Sequence, residues 1–102
     1  MKSDYAQFSD KTTQFIGQQI GSFTIIEVKL LDANTTLICC NTTKTDQGTE
    51  HMEAEHWLDE NTFHYNSLSF DHDGNFIDSE PARIKPQHMR SFEKIFTSLC
   101  NY

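Results

Sequence analysis

The side chains in this sequence best suited to chemistry are histidines set among carboxylates. Four of the five histidines, His51, His56, His64 and His72, fall within a stretch that also holds ten aspartates and glutamates. Imidazole exchanges protons near neutral pH and is the commonest nitrogen ligand for metals, so the spacing is tested against the motifs that use it. The string His51-Met52-Glu53-Ala54-Glu55-His56 contains no His-Glu-x-x-His and misses His-x-x-Glu-His by one residue. Asp71-His72-Asp73-Gly74-Asn75 opens like a calcium loop, but its glycine stands fourth instead of sixth, and Ala82 occupies the twelfth position where glutamate is required. Cys39, Cys40 and Cys100 offer no Cys-x-x-Cys spacing, and adjacent strand residues point to opposite faces, so they form no disulfide framework. A glycine-rich phosphate loop, a Gly-x-Ser-x-Gly elbow and a dinucleotide fingerprint are all missing. The sequence therefore assigns no catalytic residue, no metal ligands and no cofactor, and enzyme activity is not the leading expectation.

The elements that must position these groups are read from periodicity and turn chemistry. Ser3 caps a first helix whose apolar face carries Tyr5, Phe8, Phe15, Ile16 and Ile20, with Gly17 and Gly21 as stop signals. Pro86 opens a last helix, in which Met89, Phe92, Phe96 and Leu99 recur at helical spacing with Ile95 beside them. Between the helices, Asp32-Ala33-Asn34, Asp46-Gln47-Gly48, Asp59-Glu60-Asn61 and the stretch from Asp71 to Asn75 supply turn residues at regular intervals. The intervening stretches favour strands, expected near 21–31, 35–45, 49–58, 62–70 and 75–79. The expectation is a single α+β domain over residues 1–102: a five-stranded antiparallel meander with an N-terminal and a C-terminal helix packed on one face.

Three-residue loops would fix the register of that meander. The even positions of the first four strands then share an apolar face carrying Ile26, Val28, Leu30, Ile38, Cys40, Met52, Ala54, Leu58, Leu68 and Phe70. On the odd face, Trp57 would stand opposite Phe63 and Glu55 opposite Tyr65, with Glu53, Leu37 and Cys39 alongside. Exposed aromatics ringed by carboxylates are what protein interfaces use to concentrate binding energy. The same register sets His56 opposite His64 on the even face, where the two imidazoles would line a pocket for a small ligand.

Charge sets the functional expectation. The 102 residues carry a formal charge of -7, and from position 45 to 82 there is no lysine or arginine among the ten acids. Such a balance opposes direct binding to a nucleic-acid backbone and favours association with a basic protein. The composition, 36% hydrophobic and 23% charged, is that of a folding chain. No stretch is long and apolar enough to span a membrane, and free thiols without an export signal point to a reducing, cytoplasmic compartment. In size and charge the chain is similar to small bacteriophage counter-defence proteins, anti-CRISPR proteins among them, and to immunity proteins for nuclease toxins. That similarity of bulk properties implies an inhibitor of a nucleic-acid-handling protein. Its acidic, phosphate-imitating surface would comprise Glu53, Glu55, Trp57, Asp59, Glu60, Phe63, Tyr65, Asp71 and Asp73. The alternative is a small-molecule-binding domain or small enzyme built on His56 and His64. A homodimer formed through the fifth strand, 75–79, or the odd face is a third possibility.

Overall fold

The structure, a computed structural model, describes residues 12–100. Its strands are β1 (Gln19–Ile20), β2 (Phe23–Asp32), β3 (Thr35–Cys40), β4 (Thr43–Thr45), β5 (Gly48–Trp57), β6 (Thr62–Asp71) and β7 (Phe76–Pro81), and one helix, α1 (Pro86–Cys100), follows. All pairings are antiparallel, in the order β1-β2-β3-β5-β6-β7, with β4 also on β5. The α+β class and the antiparallel sheet agree with the sequence reading. Five strands with two helices do not: among the described residues there are seven strands and one full helix, at the C-terminal side.

Both differences have local causes. Residues 1–11, which hold Tyr5 and Phe8 of the expected first helix, lie outside the described residues. Thr12 and Thr13 are helical, but 14–17 turn, with Phe15 N–H on the Thr12 carbonyl at 3.0 Å and Gln18 N–H on that of Phe15 at 3.1 Å. Gly17 adopts φ 91 and ends the turn. The chain then runs beside β2, where Gly17 N–H donates to the Ile25 carbonyl at 2.7 Å and Ile25 N–H to that of Gln18 at 3.0 Å. Gly21-Ser22 is a two-residue hairpin loop between the paired Ile20 and Phe23, with Gly21 at φ 62; this is a glycine-first hairpin signal. What resembles a helical stripe is a turn and a short strand.

The expected strand 35–45 divides because Asn41 leaves β5 and bonds β2 instead. Its backbone N–H donates to the Thr24 carbonyl at 2.8 Å, and its Oδ1 accepts the Thr24 N–H at 2.9 Å. Cys39 pairs with Glu53 and Thr43 with Glu50, so one extra residue is accommodated between β3 and β4, as in a β-bulge.

Register is the other correction. The loop from β5 to β6 has four residues, since Trp57 pairs with Thr62. Leu58 is drawn out of the ladder when its N–H donates to the Asn34 carbonyl at 2.7 Å. Asp59 N–H donates to Asn34 Oδ1 at 2.8 Å, and Asn34 Nδ2 donates back to Asp59 Oδ1 at 2.9 Å. This clasp between two neighbouring turns shifts β6 by one residue. Phe63 and Tyr65 then fall on the face that α1 covers, and His64, Leu68 and Phe70 on the other. In β2, an irregularity between Ile25 and Glu27 turns Ile25 inward and Ile26 outward.

The core lies between the sheet and α1. Ile20, Ile25, Val28, Ile38, Cys40, Met52 and Ala54 meet Phe92, Ile95, Phe96 and Leu99, with Phe15, Phe23, Phe63 and Tyr65 packed around them. The four helix residues follow the i, i+3, i+4, i+7 pattern that makes one stripe. Lys85 accepts the first helical N–H groups, those of His88 at 2.9 Å and Met89 at 3.0 Å; Pro86, with no N–H, leaves no orphan donor there.

Candidate interaction face

The face of the sheet opposite α1 carries the odd residues of β3 and β5 and the even residues of β6. Glu53 and Glu55 stand there on the central strand β5, two residues apart and therefore about 7 Å apart along it. Leu37 and Cys39 are buried beside them on β3. Glu53 Oε2 accepts from His51 Nε2 at 2.8 Å and from the Cys39 thiol at 3.9 Å. Glu55 Oε1 accepts the Trp57 indole N–H at 3.0 Å. Among the described residues, neither remaining carboxylate oxygen has a hydrogen-bond partner. Each glutamate is thus held in place by one oxygen and presents the other.

Trp57 is 37% exposed. Its ring lies 4.0 Å from that of His64, centroid to centroid, and His64 Nε2 meets Thr62 Oγ1 at 3.0 Å. Further along, His51 stacks on Phe70 at 5.5 Å, and Phe70 meets Phe76 edge-on at 5.9 Å. The thiol on this face senses its negative field: burial, then Glu53 and Glu27, push Cys39 up to about 12. The arrangement suits recognition of cations, with carboxylates held on a rigid strand and an aromatic anchor beside them.

Only part of the expected site is assembled here. Glu53, Glu55 and Trp57 share the face. Phe63 and Tyr65 do not: they face α1, where the Tyr65 hydroxyl donates to Glu93 Oε2 at 3.0 Å and lies 3.3 Å from the Met89 carbonyl oxygen. Burial and Glu93 raise the Tyr65 pKa well above the usual phenol range. Asp59 is committed to the clasp with Asn34, and Glu60 is exposed beside it. Asp71 braces its own turn, its Oδ1 accepting from Asp73 N–H at 2.9 Å and Asn75 N–H at 2.8 Å. These bonds, Asn75's first, hold its pKa below the usual carboxylate value. Asp73 is exposed in that same turn. The two acidic turns stand at opposite ends of the ten-residue β6, about 30 Å apart, so the nine residues form no single patch.

His56 and His64 are not brought together either. His64 stands with Trp57, while His56 is buried beneath α1 and stacks on Phe63 at 4.6 Å. His56 Nε2–H donates to Asn61 Oδ1 at 2.9 Å, and Nδ1 accepts the Cys100 thiol at 3.7 Å. Sequence reasoning missed the roles of His51, His64 and Phe70 on the open face; the signal was the loop length, hidden because Leu58 looks like a strand residue. A separate cleft of about 400 Å³ opens where the sheet extends past α1, bordered by Phe23, Asn41, Glu50, Met52, Glu80 and Arg83. Among the described residues, no three His, Cys, Asp or Glu side chains converge as a metal site, and no helix is long and apolar enough to cross a membrane. No protein-family model, no curated protein and no solved structure matches this chain.

Proposed function

We propose that the chain is a protein-binding module that presents the face of its sheet opposite α1 to a basic protein, one that handles nucleic acid, and inhibits it by occupying its phosphate-binding surface. The observation that supports this most is the β5 row: two glutamates with one oxygen free each, adjoining the exposed Trp57. Charge steers the encounter and sets the register of docking, while indole burial contributes affinity that survives salt. The lack of any lysine or arginine from 45 to 82 keeps the surrounding field negative.

The test is capture from the native host's lysate with and without competing duplex DNA. Wild type should retain a basic, nucleic-acid-binding protein that DNA displaces, and E53K/E55K, with an unchanged circular dichroism spectrum, should lose it. Retention of the same protein by E53K/E55K, or capture that DNA leaves untouched, overturns the reading. The cleft beside Met52 favours a second reading, binding of a small cationic or zwitterionic ligand between Glu50, Glu80 and Arg83. A thermal-shift screen with amines and amino acids would reveal it, and a uniform absence of shift would remove it.

A further inference from the structure

The sheet ends in two edges of different character. β7 is exposed along its whole length but carries Asp78, Glu80 and Pro81, and charge with proline is how natural edges avoid pairing with another chain. β2 carries no proline, and its charges, Glu27, Lys29 and Asp32, are of both signs. Among the described residues, its outer side is paired only as far as Ile25, by β1 and the Gly17-Gln18 segment. From 26 to 32 no strand of the described residues covers it. That short stretch exposes Ile26 by 52%, Leu30 by 42% and Leu31 by 54%, and Ile16 in the adjoining turn is 47% exposed.

We infer that β2 is a self-association edge: two copies pair β2 with β2 antiparallel about a two-fold axis through Val28, forming one continuous sheet. The residues at this edge complement their own reversal. Around Val28, Glu27 stands opposite Lys29 of the second copy, a pair that occurs twice, and Ile26, at the irregularity before Glu27, borders Leu30 of the second copy at either end. Glu27 and Lys29 already share the open face, with Nζ and Oε1 3.5 Å apart. The competing registers are worse. Centring the axis on Lys29 sets Lys29 against itself, and centring it on Glu27 sets Glu27 against itself; like charges directly opposite are destabilising. Axes between residues would set core-facing positions against open-facing ones and turn the second helix to the other side of the sheet.

The stretch is also bounded. Beyond Ile26 the outward backbone groups of Ile25 are taken by Gly17 and Gln18, so Leu31 of each copy abuts the turn that carries Ile16 of the other. Four exposed aliphatic side chains thereby gain partners through one operation. The contact is isologous and closes at two copies, leaving the guarded β7 edges outside. With so short a stretch paired per strand it is far smaller than a standard protein interface, so the dimer is weak and concentration-dependent. It uses neither Glu53 nor Glu55, so its failure and that of the proposed function are separate results.

Sedimentation velocity over a concentration series tests the pairing. Wild type should rise from the 11.8 kDa monomer towards twice that mass. E27K and K29E should each weaken association by about tenfold, because two attractive pairs become repulsive. The swap E27K/K29E should restore association, a rescue that no merely structural role of either residue predicts. I26K/L30K, placed at exposed positions, should remain monomeric with an unchanged circular dichroism spectrum. A monomer at every concentration overturns the inference, as does a dimer indifferent to the single reversals and to I26K/L30K.

Discussion

At Gly48, an alanine Cβ would collide with the Phe70 carbonyl oxygen, in a backbone with φ 155. Backbone cannot move aside as a side-chain tip can, so G48A should destabilise the protein by about 1–3 kcal/mol or more, measured by urea unfolding. The thiols make a second test. Burial, and for Cys39 also Glu53 and Glu27, push Cys39 and Cys40 from 9.0 up to about 12. In the unfolded chain both ionise near 9.0, whereas the folded state keeps their protons. Their contribution to stability is therefore complete below pH 9 and is lost as pH rises from about 9 towards 12. Urea unfolding should show stability falling over that window, and C40A should make the fall shallower. At neutral pH a thiol-reactive dye should label the exposed Cys100 first and the two buried cysteines only on unfolding. The sequence made Glu53, Glu55 and Trp57 legible as neighbours, because alternation along one strand needs no partner. It misplaced Phe63 and Tyr65, because which face they meet depends on a loop held by another turn.

The elements divide along the same line. α1 was legible in full, from the proline that opens it to the stripe of Phe92, Ile95, Phe96 and Leu99, since helical periodicity is written within one segment. Truncating either phenylalanine, both wholly buried, should cost about 3–5 kcal/mol in chemical denaturation. The longer strands were legible too, but β1, the break between β3 and β4 and the β5–β6 register were not. Asn34 shows why: its carbonyl and side chain fix the β5–β6 loop from a turn 25 residues away, and such capture leaves no local trace in sequence. N34A should loosen both turns, costing about 1–2 kcal/mol, and N34D should cost more at neutral pH, because an oxygen replaces the amide that donates to Asp59 Oδ1 and sets two carboxylates together. Unchanged stability in both variants would remove the clasp from the account. The apolar spacing of Phe15, Ile16 and Ile20 likewise fits a helix as well as a turn and strand; the loop signal of Gly21-Ser22 decides between them.

Over the whole molecule, protection is uneven. All six residues of β3 are buried, and all six of β7 are exposed. Amide hydrogen exchange should therefore be slowest in β3 and the central part of β5 and fastest along β7; comparable rates in β3 and β7 would contradict this layout. The class of fold, antiparallel sheet under a helix, was legible from composition, turns and one strong stripe. The strand count was not, because a bulge at Asn41 and a two-residue β1 are decided by single hydrogen bonds. One consequence concerns synthesis. The sheet precedes its cover: everything from Ile20 to Ala54 on the core face waits for side chains at 92–99. A chain emerging from the ribosome therefore holds a complete set of strands with a bare apolar surface until α1 follows. Vectorial translation thus makes the interval between β7 and α1 an aggregation-prone one, in which a pause prolongs the exposure of that surface.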